Sequence, residues 1–297
     1  MAGALVTSND AADSVPDWPL AYGKIVPPLV GGIRYEYTHR VLAGVVAILT
    51  LVLAIWLART DKRRSTRRLG WTALALVVAQ ALLGGFRVLE GHAALSATAH
   101  AILAHIFFIT VVSLSLFTSL WWQFDVPPLD DSASPRVSTL AAWTTAAIFV
   151  QLILGAAFRH GAFGITPHIV GAGVVTVMVV WAGRAAKKRF ARVPAIRSSV
   201  IWLHATFGTQ ILLGIAAYWA IVASRGETQP GLTYVILSVA HVLVGALALA
   251  ASALLTLVCF RLTRPGTEDV LVPVGVDAPV GRGGQSVDPA QSGVATR

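Results

Sequence analysis

Seven nearly uncharged stretches, at about residues 34–58, 69–87, 94–121, 138–158, 164–183, 199–223 and 232–260, leave this chain few ways to fold. An α-helix rises about 1.5 Å per residue, so some 20 apolar residues cross a hydrocarbon core of about 30 Å. Inside lipid no water serves the backbone, so each stretch must be a helix that closes its own hydrogen bonds. Composition agrees. Of 297 residues 56% are hydrophobic and only 12% charged, and the mean hydropathy of +0.71 leaves too little charge to cover a soluble globule of this size. The expected fold class is an all-α, polytopic membrane protein with the lipid bilayer as its solvent.

The net charge of +9 does not call for nucleic acid, because the cations crowd into short loops between spans. Arg59, Lys62, Arg63, Arg64, Arg67 and Arg68 follow the first span, and Arg184, Lys187, Lys188, Arg189, Arg192 and Arg197 follow the fifth. Short basic loops stay cytoplasmic, and an even number of spans separates these two, so the assignments agree. The loop 122–137 and the tail then share that side, while 7–32, 88–97, 159–164 and 224–231 face outward. Residues 7–32 are polar and rich in Pro and Gly, with Trp18 and Tyr22 suited to an interface. Met1 to Val6 lacks the basic start and length of a signal peptide. From Thr263 the chain reads as a disordered cytoplasmic tail. One cysteine, Cys259, permits neither an internal disulfide nor a thiolate cluster.

Repeats expose the organisation. His39-Arg-Val-Leu-Ala-Gly, His168-Ile-Val-Gly-Ala-Gly and His241-Val-Leu-Val-Gly-Ala resemble one another, as do Gln80-Ala-Leu-Leu-Gly-Gly, Gln151-Leu-Ile-Leu-Gly-Ala and Gln210-Ile-Leu-Leu-Gly-Ile. In chain order the helices carry His39, Gln80, His100, Gln151, His168, Gln210 and His241, a series without its first Gln-type member. Ala2 to Val6 looks like the end of that member. The reading is two parallel four-helix halves, eight spans with the first truncated here or the translation start set too far downstream. The alternative is a seven-span protein with its N-terminus outside. The expected units are an N-terminal half-bundle at 1–122, a cytoplasmic linker at 123–137, a C-terminal half-bundle at 138–262 and the tail at 263–297.

By this topology His39, His100, His168 and His241 all lie near the outward ends of their helices, two in each half. Ionisable groups are costly in a membrane and mark function. Two imidazoles at matching depth could hold one haem iron axially in an apolar slot between helices. The alternative for any single histidine is a hydrogen bond across a helix interface. Four at corresponding repeat positions favour ligation and imply two haem sites. His105 lies about 140° around the helix from His100 and cannot easily share its iron. His204 lies at the cytoplasmic end of its helix, and His92 and His160 belong to outer loops, solvated or near propionates.

Glu36 precedes His39 by three residues and shares its helix face. It could exchange protons with a substrate or hydrogen-bond a ligand histidine; equally it could form an ion pair with Arg40, four residues on. The second half carries Ile165 where Glu36 would repeat, so one site is suited to reaction and the other to holding electrons. Arg87 and Arg159 end the outer turns of two Gln-type helices and are candidates for haem propionates, or ordinary snorkelling arginines.

Taken together, Leu5-Val6-Thr7-Ser8, Pro16-Asp17-Trp18-Pro19 with Gly23 and Pro27-Pro28, Glu36-Tyr37-Thr38-His39-Arg40, the Gln80 and Gln151 helices, and His100, His168 and His241 resemble the haem A synthase family of cytochrome oxidase assembly proteins, over residues 1 to about 260. The resemblance implies an oxidoreductase of a bacterial cell membrane that oxidises a ring methyl of haem O to a formyl group, by successive hydroxylations and loss of water. It implies substrate haem O between His39 and His100 with Glu36 needed for reaction, and a haem b cofactor between His168 and His241. Haem O synthase, oxidase assembly factors and a membrane electron acceptor are the partners it implies. The outer first loop lacks the cysteine pair of some members. Two other classes stay open on the residues alone: a non-enzymatic di-haem electron carrier or quinone-linked cytochrome b, and a haem-handling transport protein.

Overall fold

The structure, a computed structural model, describes residues 1–90 and 94–265. The expectations for His92 and for the tail beyond Pro265 concern residues outside that range. A short helix, α1 (Ala2–Ser8), is followed by α2 (Ile33–Thr60), α3 (Arg64–Leu89), α4 (Ala94–Thr118), the single turn α5 (Leu120–Gln123), α6 (Val137–Arg159), α7 (Thr166–Phe190), α8 (Pro194–Ala223) and α9 (Leu232–Leu262). The two-residue strands β1 (Leu129–Asp130) and β2 (Thr263–Arg264) pair in parallel. Seven of these helices are long and apolar enough to cross a membrane, and the chain is an integral, multi-pass membrane protein.

The long helices exceed the apolar stretches at their basic ends. α3 begins at Arg64 and α7 runs on through Lys187, Lys188 and Arg189 to Phe190. Hydropathy marks only the part in hydrocarbon, whereas a helix already nucleated continues for another turn into the interface at little cost. Lys and Arg in that last turn of α7 also complement the negative helix C-terminus.

Packing follows two rules of lipid-embedded helices. Bulky residues such as Ile48, Trp56, Val177 and Trp219 face outward, and small or hydroxyl residues mediate close helix contacts. α9 is the most enclosed span, over half of its central window being buried. It presents Ala248, Ala250, Ala251, Ser252 and Ala253 to its neighbours. There Thr145 of α6 lies 2.8 Å from Ser252 Oγ and 2.9 Å from Thr256 Oγ1. The helices α6 to α9 close into a ring in which α6 and α8 each touch both α7 and α9, while α4 and α1 reach α9 from outside. The largest dry core, with Val137, Ile196, Val200, Leu203, Leu249 and Leu255, lies within this ring.

At the basic end a network joins the linker to the bundle. Asp131, 2% exposed, accepts from the Val137 N–H (2.7 Å) at the start of α6 and from Arg189 Nη1 (3.2 Å), which also donates to Pro135 O (2.9 Å). The Asp131 N–H donates to Arg264 O (2.8 Å), and Arg261 lies over the Trp122 ring and donates to Phe124 O. Thr263 and Arg264, assigned to the tail on composition, are thus part of the folded body: the linker supplies backbone partners that composition cannot reveal. Asp131→Ala removes a helix cap and leaves the Arg189 guanidinium unpaired. Breaking a buried pair from one side costs about 3–5 kcal/mol. Because Arg189 is partly exposed, about 3 kcal/mol is expected, read as a lowered unfolding midpoint in detergent and faster proteolysis between α5 and α6.

Candidate functional site

Residues 9–32 form a segment folded back on α2. Glu36, 4% exposed, accepts from the Val15 N–H (2.9 Å) and from Arg40 Nη2 (2.5 Å). Arg40 also donates to the backbone oxygens of Asp17 (2.7 Å), Leu20 (2.9 Å) and Val15 (3.3 Å). Of the two readings of Glu36, the ion pair is therefore made, and its bonds fasten residues 15–20 above His39. The Asp17 carboxylate takes the N–H groups of Gly23 and Tyr22, which hold it below the usual carboxylate range. Trp18 packs on α3, where a Cβ on Gly85 would approach its ring atoms to 2.5–2.8 Å.

The four histidines meet in two pairs. The rings of His39 (α2) and His100 (α4) have centroids 6.4 Å apart at an interplanar angle of 89°, and those of His168 (α7) and His241 (α9) are 6.3 Å apart at 83°. Two imidazoles on one metal ion, each with a bond of about 2.0–2.1 Å and roughly 1.1 Å more from nitrogen to ring centre, stand about 6.3 Å apart. Both pairs have that span. Among the described residues no group of three or more His, Cys, Asp or Glu could hold a bare ion. The donor set therefore suits a metal that brings its own equatorial ligands, as a porphyrin iron does.

Each ring leans on a glycine of the neighbouring helix. A Cβ on Gly3, Gly84, Gly155 or Gly214 would lie 3.3, 3.0, 2.8 and 3.0 Å from Cε1 of His39, His100, His168 and His241 in turn. The same contact thus recurs at α1–α2, α3–α4, α6–α7 and α8–α9. Sequence reading found these glycines as repeat letters and missed their role. Their constant place four residues after Gln80, Gln151 and Gln210, on one helix face, was the available signal.

Other candidates fall in different places. Arg159 donates to Ala4 O (3.1 Å) and Ser8 Oγ (2.7 Å), bracing α1 against α6. Arg87 keeps a buried Nε without a hydrogen-bond partner, and His160, held down to about 4 by burial and then by Arg87 and Arg159, is neutral at pH 7 beside them. His105 and His204 turn Nδ1 to Ala101 O (2.7 Å) and Val200 O (2.8 Å) of their own helices and join neither pair. A groove of about 520 Å³ between Met1, Leu5, Tyr35 and the outer turns of α9 contains none of the paired histidines.

Residues 33–167, which carry Glu36, the first histidine pair and the Gln80 and Gln151 helices, match the family described as cytochrome oxidase assembly protein. The match takes in a little under half of the chain. Among curated proteins similar to this chain, the heme A synthase of Lysinibacillus sphaericus is 30% identical over 167 residues, 54% of this chain and 53% of the relative. That of Halalkalibacterium halodurans is 34% identical over 134 residues, 43% of each. That of Shouchella clausii is 29% identical over 279 residues, 87% of this chain and 89% of the relative. In the first two alignments the chain spans about half the length of the relative or less. No solved structure matches the chain.

Proposed function

We propose that this chain is a haem A synthase, a membrane oxidoreductase that oxidises the ring methyl of haem O to the formyl group of haem A for terminal oxidase assembly. The observation that carries this reading is the presence of two imidazole pairs, each at the span of a bis-histidine iron, with the buried Glu36 one turn from the first of them. His39 and His100 hold the substrate haem O in the N-terminal half-bundle (1–122), and His168 and His241 hold haem b in the C-terminal half-bundle (138–262). Bound haem b supplies one-electron redox chemistry. Glu36, set one turn outward from His39 and fixed by the Val15 N–H and Arg40, exchanges protons at the substrate methyl. Residues 15–20 cover the site and limit water. Arg87, with its open Nε donor, binds a propionate; Arg159, whose Nη2 is bonded to α1, has its other donors to offer. The positive loops support a cytoplasmic position for the basic end in a bacterial cell, with both sites near the outer face. Haem O synthase upstream, oxidase assembly factors downstream and a membrane electron acceptor are the partners this reaction calls for.

The test is the haem content of membranes that express the chain together with a source of haem O. Haem A should appear in the extract. Extraction of haem b and haem O alone from an intact di-haem protein would instead favour a non-enzymatic carrier, a role for which Glu36 has no evident use.

A further inference from the structure

Buried polar atoms without partners cluster at the histidines. The carbonyl oxygens of Gln80, Gln151 and Gln210 have none, and neither do Nδ1 of His100 and Nδ1 of His241. The same three amides already touch the same three histidines. Gln80 Nε2 donates to His100 O (3.0 Å), Gln151 Nε2 donates to His168 O (2.8 Å) and lies 3.0 Å from His168 Nδ1, and Gln210 Nε2 lies 3.3 Å from His241 Nε2. Two of the histidine helices, α7 and α9, are also shaped to receive the amide. A Cβ on Gly171 would collide with Gln151 Oε1, and one on Gly245 would lie 2.9 Å from Gln210 Nε2. Buried groups of this kind normally find partners, and three recurrences in one chain mark a device rather than an accident of packing.

We propose that Gln80, Gln151 and Gln210 are positioning residues for the ligand histidines: each carbonyl oxygen accepts the Nδ1–H of its imidazole, so that Nε2 is presented to iron. At Gln151, exchange of Oε1 and Nε2 about the broad terminal torsion sets Oε1 against His168 Nδ1 in place of the amide bond to His168 O; at Gln210, whose Nε2 faces His241 Nε2, the imidazole turns over as well. Which ring nitrogen is free for a metal is set by the hydrogen bond of the other. The glycine four residues on holds the ring from the side, so one helix face supplies both the orientation and the seat. An acceptor at Nδ1 makes the imidazole more basic and stabilises ferric over ferrous iron. The glutamines therefore also set the potential of each haem, and this inference rests on the ligand assignment proposed above.

Gln151 offers the cleanest test, because His168 belongs to the resident haem b and not to the substrate site. Full-length Gln151→Leu, Gln151→Met and Gln151→Glu proteins would be purified in detergent beside wild type and His168→Ala. Four readouts apply: haem b per protein, its affinity, its low-spin electron paramagnetic resonance signal and its midpoint potential. Gln151→Leu and Gln151→Met should bind haem b 10- to 100-fold more weakly, the usual loss when such a partner is removed, and should raise the potential. Gln151→Glu, which keeps an acceptor, should recover much of the affinity and lower the potential. A role in packing alone would not move the potential in opposite directions. Wild-type affinity, resonance signal and potential in both Gln151→Leu and Gln151→Met would overturn the proposal while leaving the ligand assignment standing. Full haem b in His168→Ala would overturn the ligand assignment and the proposal with it.

Discussion

A His168→Ala, His241→Ala protein should leave the membrane with no bound haem b, against full occupancy in wild type. The two rings reach across the C-terminal ring of helices from α7 and α9, which lie opposite each other with α6 and α8 between them. His204, the other histidine on these helices, is bonded to its own helix and cannot substitute. Removal of the imidazoles leaves Gly155 and Gly214 facing open space, with no charge exposed and no helix cap lost, so the apoprotein should fold. The loss is one of ligation, measured as the haemochrome absorbance per purified protein. The parallel His39→Ala, His100→Ala protein should retain haem b and lose haem O. Undiminished haem b in the first variant would exclude His168 and His241 as its axial ligands.

Glu36→Gln should retain haem b yet yield no haem A. Glu36 accepts from the Val15 N–H at one oxygen and from Arg40 at the other; the amide keeps one acceptor, so one of these bonds is lost with the charge, while the bonds of Arg40 to the Asp17, Leu20 and Val15 oxygens still fasten residues 15–20. Arg40→Ala asks the opposite question. It removes the guanidinium partner of the Glu36 carboxylate at 4% exposure, for which breaking a buried pair predicts a loss of about 3 kcal/mol, and it frees the backbone oxygens of Val15, Asp17 and Leu20. Product formed at the wild-type rate by Glu36→Gln, together with failure of Arg40→Ala, would reduce Glu36 to a fastening for residues 15–20. The two variants are told apart by thermal unfolding, which should move further for Arg40→Ala.

Several features were legible because they obey local rules. The spans were visible since hydrocarbon permits no other backbone structure, and their boundaries erred mainly where α3, α7 and α8 run past the lipid into Arg- and Lys-bearing turns. The equivalence of His39, His100, His168 and His241 was visible because repeated helices place repeated letters at equal depth. The seat of Trp18 on Gly85 was not legible, since nothing local shows that this glycine leaves a surface for an aromatic ring. Arg159 was read as a propionate candidate or a snorkelling arginine, and its bonds to Ala4 O and Ser8 Oγ, from the far end of the sequence, were not foreseen.

By itself the sequence determined the membrane-spanning helical class, the alternation of His-type and Gln-type helices and the four histidines, since these depend on hydropathy and periodicity along one chain. Only the tertiary structure decided how far apart the rings of His39 and His100 and of His168 and His241 stand, pairings the resemblance had implied, that each ring rests on a glycine of its neighbour, and that Glu36 is bonded to the Val15 N–H as well as to Arg40. Those facts depend on distances between helices remote in sequence. Such distances are set by how closely small residues let two backbones approach, a property of the pair of surfaces and not of either helix alone.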